Sequence, residues 1–229
     1  MISLIPVIEF EPASYKKRTR ESPSVTSRDD PQAWELYWRE SLEDSGIDEL
    51  HPLRAGGWHV PVTELKRPST LRAMLDVAFD KADATLENDL PMDELPMLPG
   101  GYVLGDGRGE IEPGCCSDFS TICSWREAVA WRSREWEMVW IGHPWTHVSA
   151  EGDTLRFLEP SEEVHPKSTE IHLSVPRGDL VAAIPVAVTL VETLAERLHS
   201  IVAECHSASV SAEIVGALMW GHSTQGRTG

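Results

Sequence analysis

The chain has 229 residues, long enough to bury a substantial core without disulfides or metal, and 41% hydrophobic with 25% charged residues is ordinary for a globular protein. The formal charge of −17 is not ordinary. It opposes general nucleic-acid binding, which needs basic surface to displace counterions from phosphates, and docking on anionic membranes; it suits a soluble protein or a partner for something basic.

Ile2 to Phe10 is apolar and β-branched and predicts a first strand. Residues 11–29 carry Lys16, Lys17, Arg18 and Arg20 among Ser, Thr and Pro, the composition of a flexible basic loop. Asp30-Pro31 marks a helix start, with an acidic cap and proline at the first helical position. That helix should run to about Asp44 and end at Gly46, with Trp34, Trp38 and Leu42 as its buried stripe. After a loop with a short strand near Trp58 to Val62, the spacing of Leu71, Met74, Leu75, Ala78, Phe79 and Ala82 predicts a helix from Ser69 to about Leu86. Asp89 to Pro99 repeats proline and reads as an extended connector.

Tyr102–Leu104 and Glu110–Ile111 predict a hairpin turning at Gly105 to Gly109. That glycine run lacks the Lys-Ser/Thr ending of a phosphate loop. Ser124 with Glu127 forms a capping box for a short helix ending near Arg134. Glu135 to Ile141 reads as a strand with Trp136, Met138 and Trp140 on one face. Trp145–Ala150 and Thr154–Leu158 predict a hairpin around Glu151-Gly152-Asp153, and Ile171–Val175 a further strand. The last long helix should begin between Asp179 and Ala183, because Pro185 is best tolerated in a first turn. Its stripe is Ile184, Val188, Val191, Ala195, Leu198, Val202 and Cys205. Ser209–Trp220 fits one more helix, followed by a mobile tail at 221–229. The expected fold is α+β: one domain over residues 1–220, with a mostly antiparallel sheet packed against several helices and a long C-terminal helix.

The chemistry-bearing residues concentrate between Gly100 and Trp145, which hold three of four cysteines and five of nine tryptophans. Cys115, Cys116, Cys123, His143 and His147 are of the types that ligate zinc, but no Cys-x-x-Cys pair is present, so no metal or other cofactor is expected. Cys115 or Cys116 with His143 as base and Asp118 as orienting group has the residue types of a cysteine nucleophile, without a local signature. Four cysteines, two of them adjacent, do not make a disulfide framework. The segment Met1 to Phe10 lacks a basic start and a small-residue cleavage site, and the apolar run Leu180 to Val191 is short for a membrane span. A cytoplasmic protein with reduced thiols is expected. The turn Gly142-His143-Pro144-Trp145, flanked by Trp140, is either a buried corner or an exposed aromatic anchor beside a titratable imidazole.

The strand Trp136 to Ile141, the Gly142-His143-Pro144 break and the hairpin to Leu158 resemble proteins of the SMI1/KNR4-like (SUKH) group. That resemblance implies a small bacterial α+β protein that acts by binding, in many members as an immunity protein against a toxin, and it implies no catalytic residues. Together these features predict an acidic, non-enzymatic protein that meets a basic partner through Trp140, His143 and Trp145, with no nucleic acid and no membrane. A Cys/His metalloprotein or cysteine-dependent enzyme, and a structural subunit using its C-terminal helix, are the alternatives.

Overall fold

A computed structural model describes residues 2–87 and 94–221. Of the connector expected at Asp89–Pro99, residues 94–99 are described and carry no α-helix or strand, while 89–93 lie outside the described residues, as does all but Gly221 of the tail expected at 221–229. Among those described, the chain forms six α-helices and two four-stranded antiparallel sheets, an α+β fold with a long helix toward the C-terminus. By compactness it divides into two units, Met1–Val7 with Pro99–Glu192, and Ile8–Leu98 with Thr193–Gly229.

The strand β1 (Ser3–Glu9) opens the chain, followed by a single helical turn, α1 (Pro12–Tyr15). In the second unit α2 (Pro31–Glu43) starts as its sequence dictates: the Asp30 side chain accepts from the Ala33 N–H at 3.0 Å, and Gly46 follows at φ +77°. The buried stripe is shifted from the expected one. Tyr37, Trp38, Ser41 and Leu42 are buried, whereas Trp34 is half-buried and donates its indole N–H to the Val25 carbonyl at 2.7 Å. The basic loop is tied to the same helix. Arg20 pairs with Glu40 at 3.1 Å and Asp44 at 3.2 Å, and the backbone N–H groups of Lys17 and Arg18 each donate to Asp44 at 3.3 Å. The short strand β2 (His59–Pro61) precedes α3 (Pro68–Asp80), which ends six residues before the expected Leu86. The chain leaves the helix through a turn at Lys81–Asp83, with Asp83 in the left-handed region at φ +53°.

In the first unit β3 (Gly100–Gly105) and β4 (Glu110–Ile111) form the expected hairpin. The Asp106 carboxylate accepts the N–H groups of Arg108 and Gly109, at 2.7 and 2.9 Å, and these bonds hold its pKa below the usual range. The helix α4 (Ile122–Ala130) is entered differently from the expectation. Asp118 caps a 3-10 turn at Phe119–Thr121, accepting from Ser120 N–H, and α4 continues directly from that turn with Thr121 at its N-cap and no side-chain cap bond; Ser124 sits inside the helix. The strands β5 (Glu137–Val139), β6 (Thr146–Glu151), β7 (Thr154–Leu158) and β8 (Ile171–Pro176) form the second sheet in that order. Glu151 pairs with Thr154 across the tight turn, where Gly152 at φ +60° supplies the conformation a two-residue hairpin needs. The first sheet has the order β2-β1-β3-β4.

The helix α5 (Arg177–Val202) starts earlier than the proline rule suggested and carries Pro185 inside it. Arg177 anchors that start: its N–H donates to the Asp153 carbonyl at 2.7 Å and its guanidinium to the carbonyl of Val129. By length and composition α5 is apolar enough to cross a membrane, with mean hydropathy 1.6 over its most apolar window, so the apolar run is longer than Leu180–Val191 alone indicated. It also carries a regular buried stripe, Leu180, Ile184, Ala187, Val191, Leu194, Leu198 and Val202, while Cys205 lies beyond its end and is exposed. The last element is α6 (Ala208–Trp220). Each unit has its own aromatic core, Trp125 against Phe157 at 5.9 Å in the first and Phe10 against Tyr15 at 5.2 Å in the second.

Candidate functional site

Alternation along β5 sends Val139 inward, and the next inward position is Ile141; they are 3% and 1% exposed. The opposite face therefore carries Trp136, Met138 and Trp140. β5 ends its sheet, and Met138 and Trp140 stand 44% and 38% exposed. Arg156 covers Trp136, its guanidinium 5.9 Å from the ring centroid. The tryptophan strand thus turns its large side chains outward.

The next residues fold back sharply. Gly142 has φ +94°, and His143-Pro144 is a cis peptide. Backbone hydrogen bonds hold the turn against the segment Pro113–Cys116: Gly114 N–H donates to Ile141 O at 2.8 Å, Cys115 N–H to His143 O at 2.8 Å, and His143 N–H back to Cys115 O at 2.9 Å. The approach is so close that only glycine fits on both sides. A Cβ on Gly114 would lie 2.3 Å from the His143 carbonyl oxygen, and one on Gly142 2.5 Å from the Cys115 and Gly114 oxygens.

On this platform three rings gather. Trp140 and Trp145 are 6.1 Å apart at 26°, and His143 meets both edge-on, at 4.8 Å and 5.2 Å. His143 and Pro144 are exposed and Trp145 is half-buried, so of the two readings of this turn the exposed one describes it. Trp145 also pairs through its backbone with Ser161, whose N–H donates to the Trp145 carbonyl at 2.8 Å. The buried indole nitrogen of Trp145 has no acceptor among the described residues.

The Cys/His set does not assemble as a group. His147 is 2% exposed within β6, its Nε2 3.1 Å from the Val164 carbonyl, whereas His143 is outside the strand and exposed. The four-residue spacing therefore does not put the two imidazoles on one strand face, because the turn at Gly142–Pro144 breaks the strand between them. Cys123 is an exposed residue of α4. Among the described residues no group of three or more His, Cys, Asp or Glu side chains is placed to hold a metal. Asp118, the orienting group expected for a cysteine nucleophile, accepts the Ser120 N–H through Oδ1. What the structure does join is Cys115 to His143, through a two-hydrogen-bond bridge. The sequence signal for it was the glycine pair, Gly114 and Gly142, rather than the spacing of ligand residues.

A cavity of about 430 Å³ lies beyond β7, lined by Leu158, Glu159, Glu163, Lys167, Glu170 and His172 among others. Lys167 is spent on Glu163, and His172 Nε2 lies 2.9 Å from the Glu110 carbonyl. Fold and site together define an α+β protein that displays an aromatic turn on an end strand. Compared with protein-family models, curated proteins and solved structures, the chain matches none.

Proposed function

We propose that this is a non-enzymatic, cytoplasmic binding protein that holds a basic protein partner through Trp140, His143 and Trp145, in the manner of the immunity proteins that the Trp136–Leu158 segment resembles. The observation that carries the reading is the three-ring cluster, in which Trp140 and His143 are exposed and Trp145 half-buried, on a chain of net charge −17. Exposed indole offers large apolar area at low entropic cost and attracts cations over its face, so an arginine or lysine side chain is the matching anchor. The charge of the whole chain steers such a partner to the surface.

The probe is an arginine-rich peptide, titrated by calorimetry into the wild type and into the Trp140→Ala/Trp145→Ala double variant. The two proteins have identical charge, so general electrostatic attraction is common to both. Loss of the ring cluster should weaken binding by about tenfold or more, as hot-spot aromatic truncations do. Equal affinity for both proteins would sink the reading. Capture experiments with the same pair of proteins then identify the natural partner as a basic protein retained by the wild type alone.

A second reading, a subunit of a larger assembly, is favoured by the outward face of α5, where Val181 and Val186 are 49% and 62% exposed. Light scattering after size exclusion separates a 25.4 kDa monomer from a multiple of it.

A further inference from the structure

The pair Cys115 and Cys116 has no part in the binding reading, yet its geometry is specific. Both residues are exposed thiols, and the Sγ of Cys116 is 4.0 Å from that of Cys115. Cys123 and Cys205 are exposed as well, so exposure alone does not single out the pair. Convergence does: successive side chains of an extended chain point to opposite faces. Here Cys116 adopts φ +63°, a region that residues bearing a side chain seldom occupy, and the alternation is broken. Cys115 is meanwhile fixed by its two hydrogen bonds with His143, and direct antiparallel opposition places their side chains on one face.

We propose that Cys115 and Cys116 form a reversible dithiol site that reacts with low-molecular-weight disulfides and closes to a vicinal disulfide. One cysteine thiolate attacks a sulfur of the external disulfide, forming a mixed disulfide and releasing one small thiol. The neighbouring thiolate then attacks the cysteine sulfur of that mixed disulfide, forming the Cys115–Cys116 bond and releasing the second small thiol. Two protein thiols are oxidised and one external disulfide is reduced to two thiols, the two protons passing to the released thiols or to solvent. Adjacent Cα atoms lie about 3.8 Å apart across a trans peptide, below the span of about 4.4–6.8 Å that disulfides usually bridge. The closed form is therefore strained and easily reduced, as switching disulfides are and structural ones are not. Closing it pulls on the Cys115–His143 bridge, so the emission of Trp140 and Trp145 should change with oxidation.

The test equilibrates the wild-type chain over ratios of oxidised to reduced glutathione, quenches with acid, labels remaining thiols with a maleimide and reads each cysteine peptide by mass. The expected result is that Cys115 and Cys116 lose label together, with loss of two hydrogens and no added glutathione, and regain it fully in reduced glutathione. The single variants Cys115→Ser and Cys116→Ser should instead accumulate glutathione on the remaining cysteine, because no neighbour resolves it. Persistent glutathione on both cysteines of the wild type, disulfide-linked dimers through them, or full labelling at the most oxidising ratio would each overturn the proposal.

Discussion

Trp34 and Trp38 on α2, and Trp136 and Trp140 flanking β5, are two pairs with the same four-residue spacing and different surroundings. Trp38 is 3% exposed, and its indole N–H donates to the Phe10 carbonyl at 2.9 Å; even half-buried Trp34 packs against Trp58 at 6.0 Å. Trp140 stands 38% exposed and touches only the rings of its own turn in the aromatic contacts, His143 and Trp145. The residue type is the same, so hydrophobicity does not decide the outcome. The helix has chain beside its apolar stripe, whereas β5 ends its sheet and gives its inward face to Val139. Burial follows from whether a neighbour covers the second face, and that neighbour comes from elsewhere in the sequence.

The largest effect that tests this contrast is Trp38→Ala, which removes a buried ring and strands the Phe10 carbonyl. It should cost about 3–5 kcal/mol in urea unfolding. A cost near that expected for a surface residue would break the contrast at once.

Next comes acid sensitivity of the region around Trp58. Burial, reinforced by the charge of Arg54, pushes the adjacent His59 from 6.5 down to about 4. Below pH 6.5 the unfolded chain takes up a proton that the folded chain refuses until about pH 4. Stability should therefore fall as pH drops through this window, by up to roughly 3 kcal/mol from this residue. Glu9, which accepts from the Trp58 indole at 3.1 Å, is shifted upward by burial and acts with the opposite sign. Denaturation midpoints of the wild type and His59→Asn, compared at pH 7 and pH 4.5, isolate the histidine; parallel losses in both would refute its role.

Gly114→Ala addresses the exposed cluster through its support. The added methyl meets the His143 carbonyl, so a loss of about 1–3 kcal/mol is expected, with altered indole resonances for Trp140 and Trp145. Unchanged resonances would mean that the ring cluster does not depend on the backbone clamp. Asp30→Ala removes the cap of the helix bearing Trp38 and should cost about 1 kcal/mol by the same unfolding measurement. Trp140→Ala should be the mildest, within about 0.5 kcal/mol of wild type, since little burial is lost. A loss as large as that of Trp38→Ala would show that the surface stripe is core after all.

Much of the secondary structure was legible because it is written locally. Asp30-Pro31 and Gly46 bracket α2, and Glu151-Gly152-Asp153 turns the second hairpin, through chemistry within a few residues. The failures are also physical. Ser124 does not cap α4 because a 3-10 turn capped by Asp118 runs straight into that helix, and α5 kept Pro185 inside because Arg177 anchors the helix two turns upstream. That Trp140, His143 and Trp145 meet as rings was suggested by their falling within six consecutive residues interrupted by Gly142 and Pro144. Their exposure was not legible, because it depends on the sheet order placing β5 at an end. Nor was the Cys115–His143 bridge, which joins segments 28 positions apart through backbone atoms that every residue shares.

The division of the chain into units has a consequence for the order of its synthesis. The first unit is complete once Glu192 has emerged, but the second needs both Ile8–Leu98 and the stretch from Thr193 onward. At a translation rate of about 5–20 residues per second, the earlier half of that second unit waits roughly 5–20 s for its closing helices. During that interval α2 already has Phe10 and Trp58 beside it, whereas the Leu98 N–H waits for its acceptor, the Leu218 carbonyl of α6, at 2.9 Å in the folded chain. The second unit is thus the one whose closure is postponed until both of its sequence segments are made.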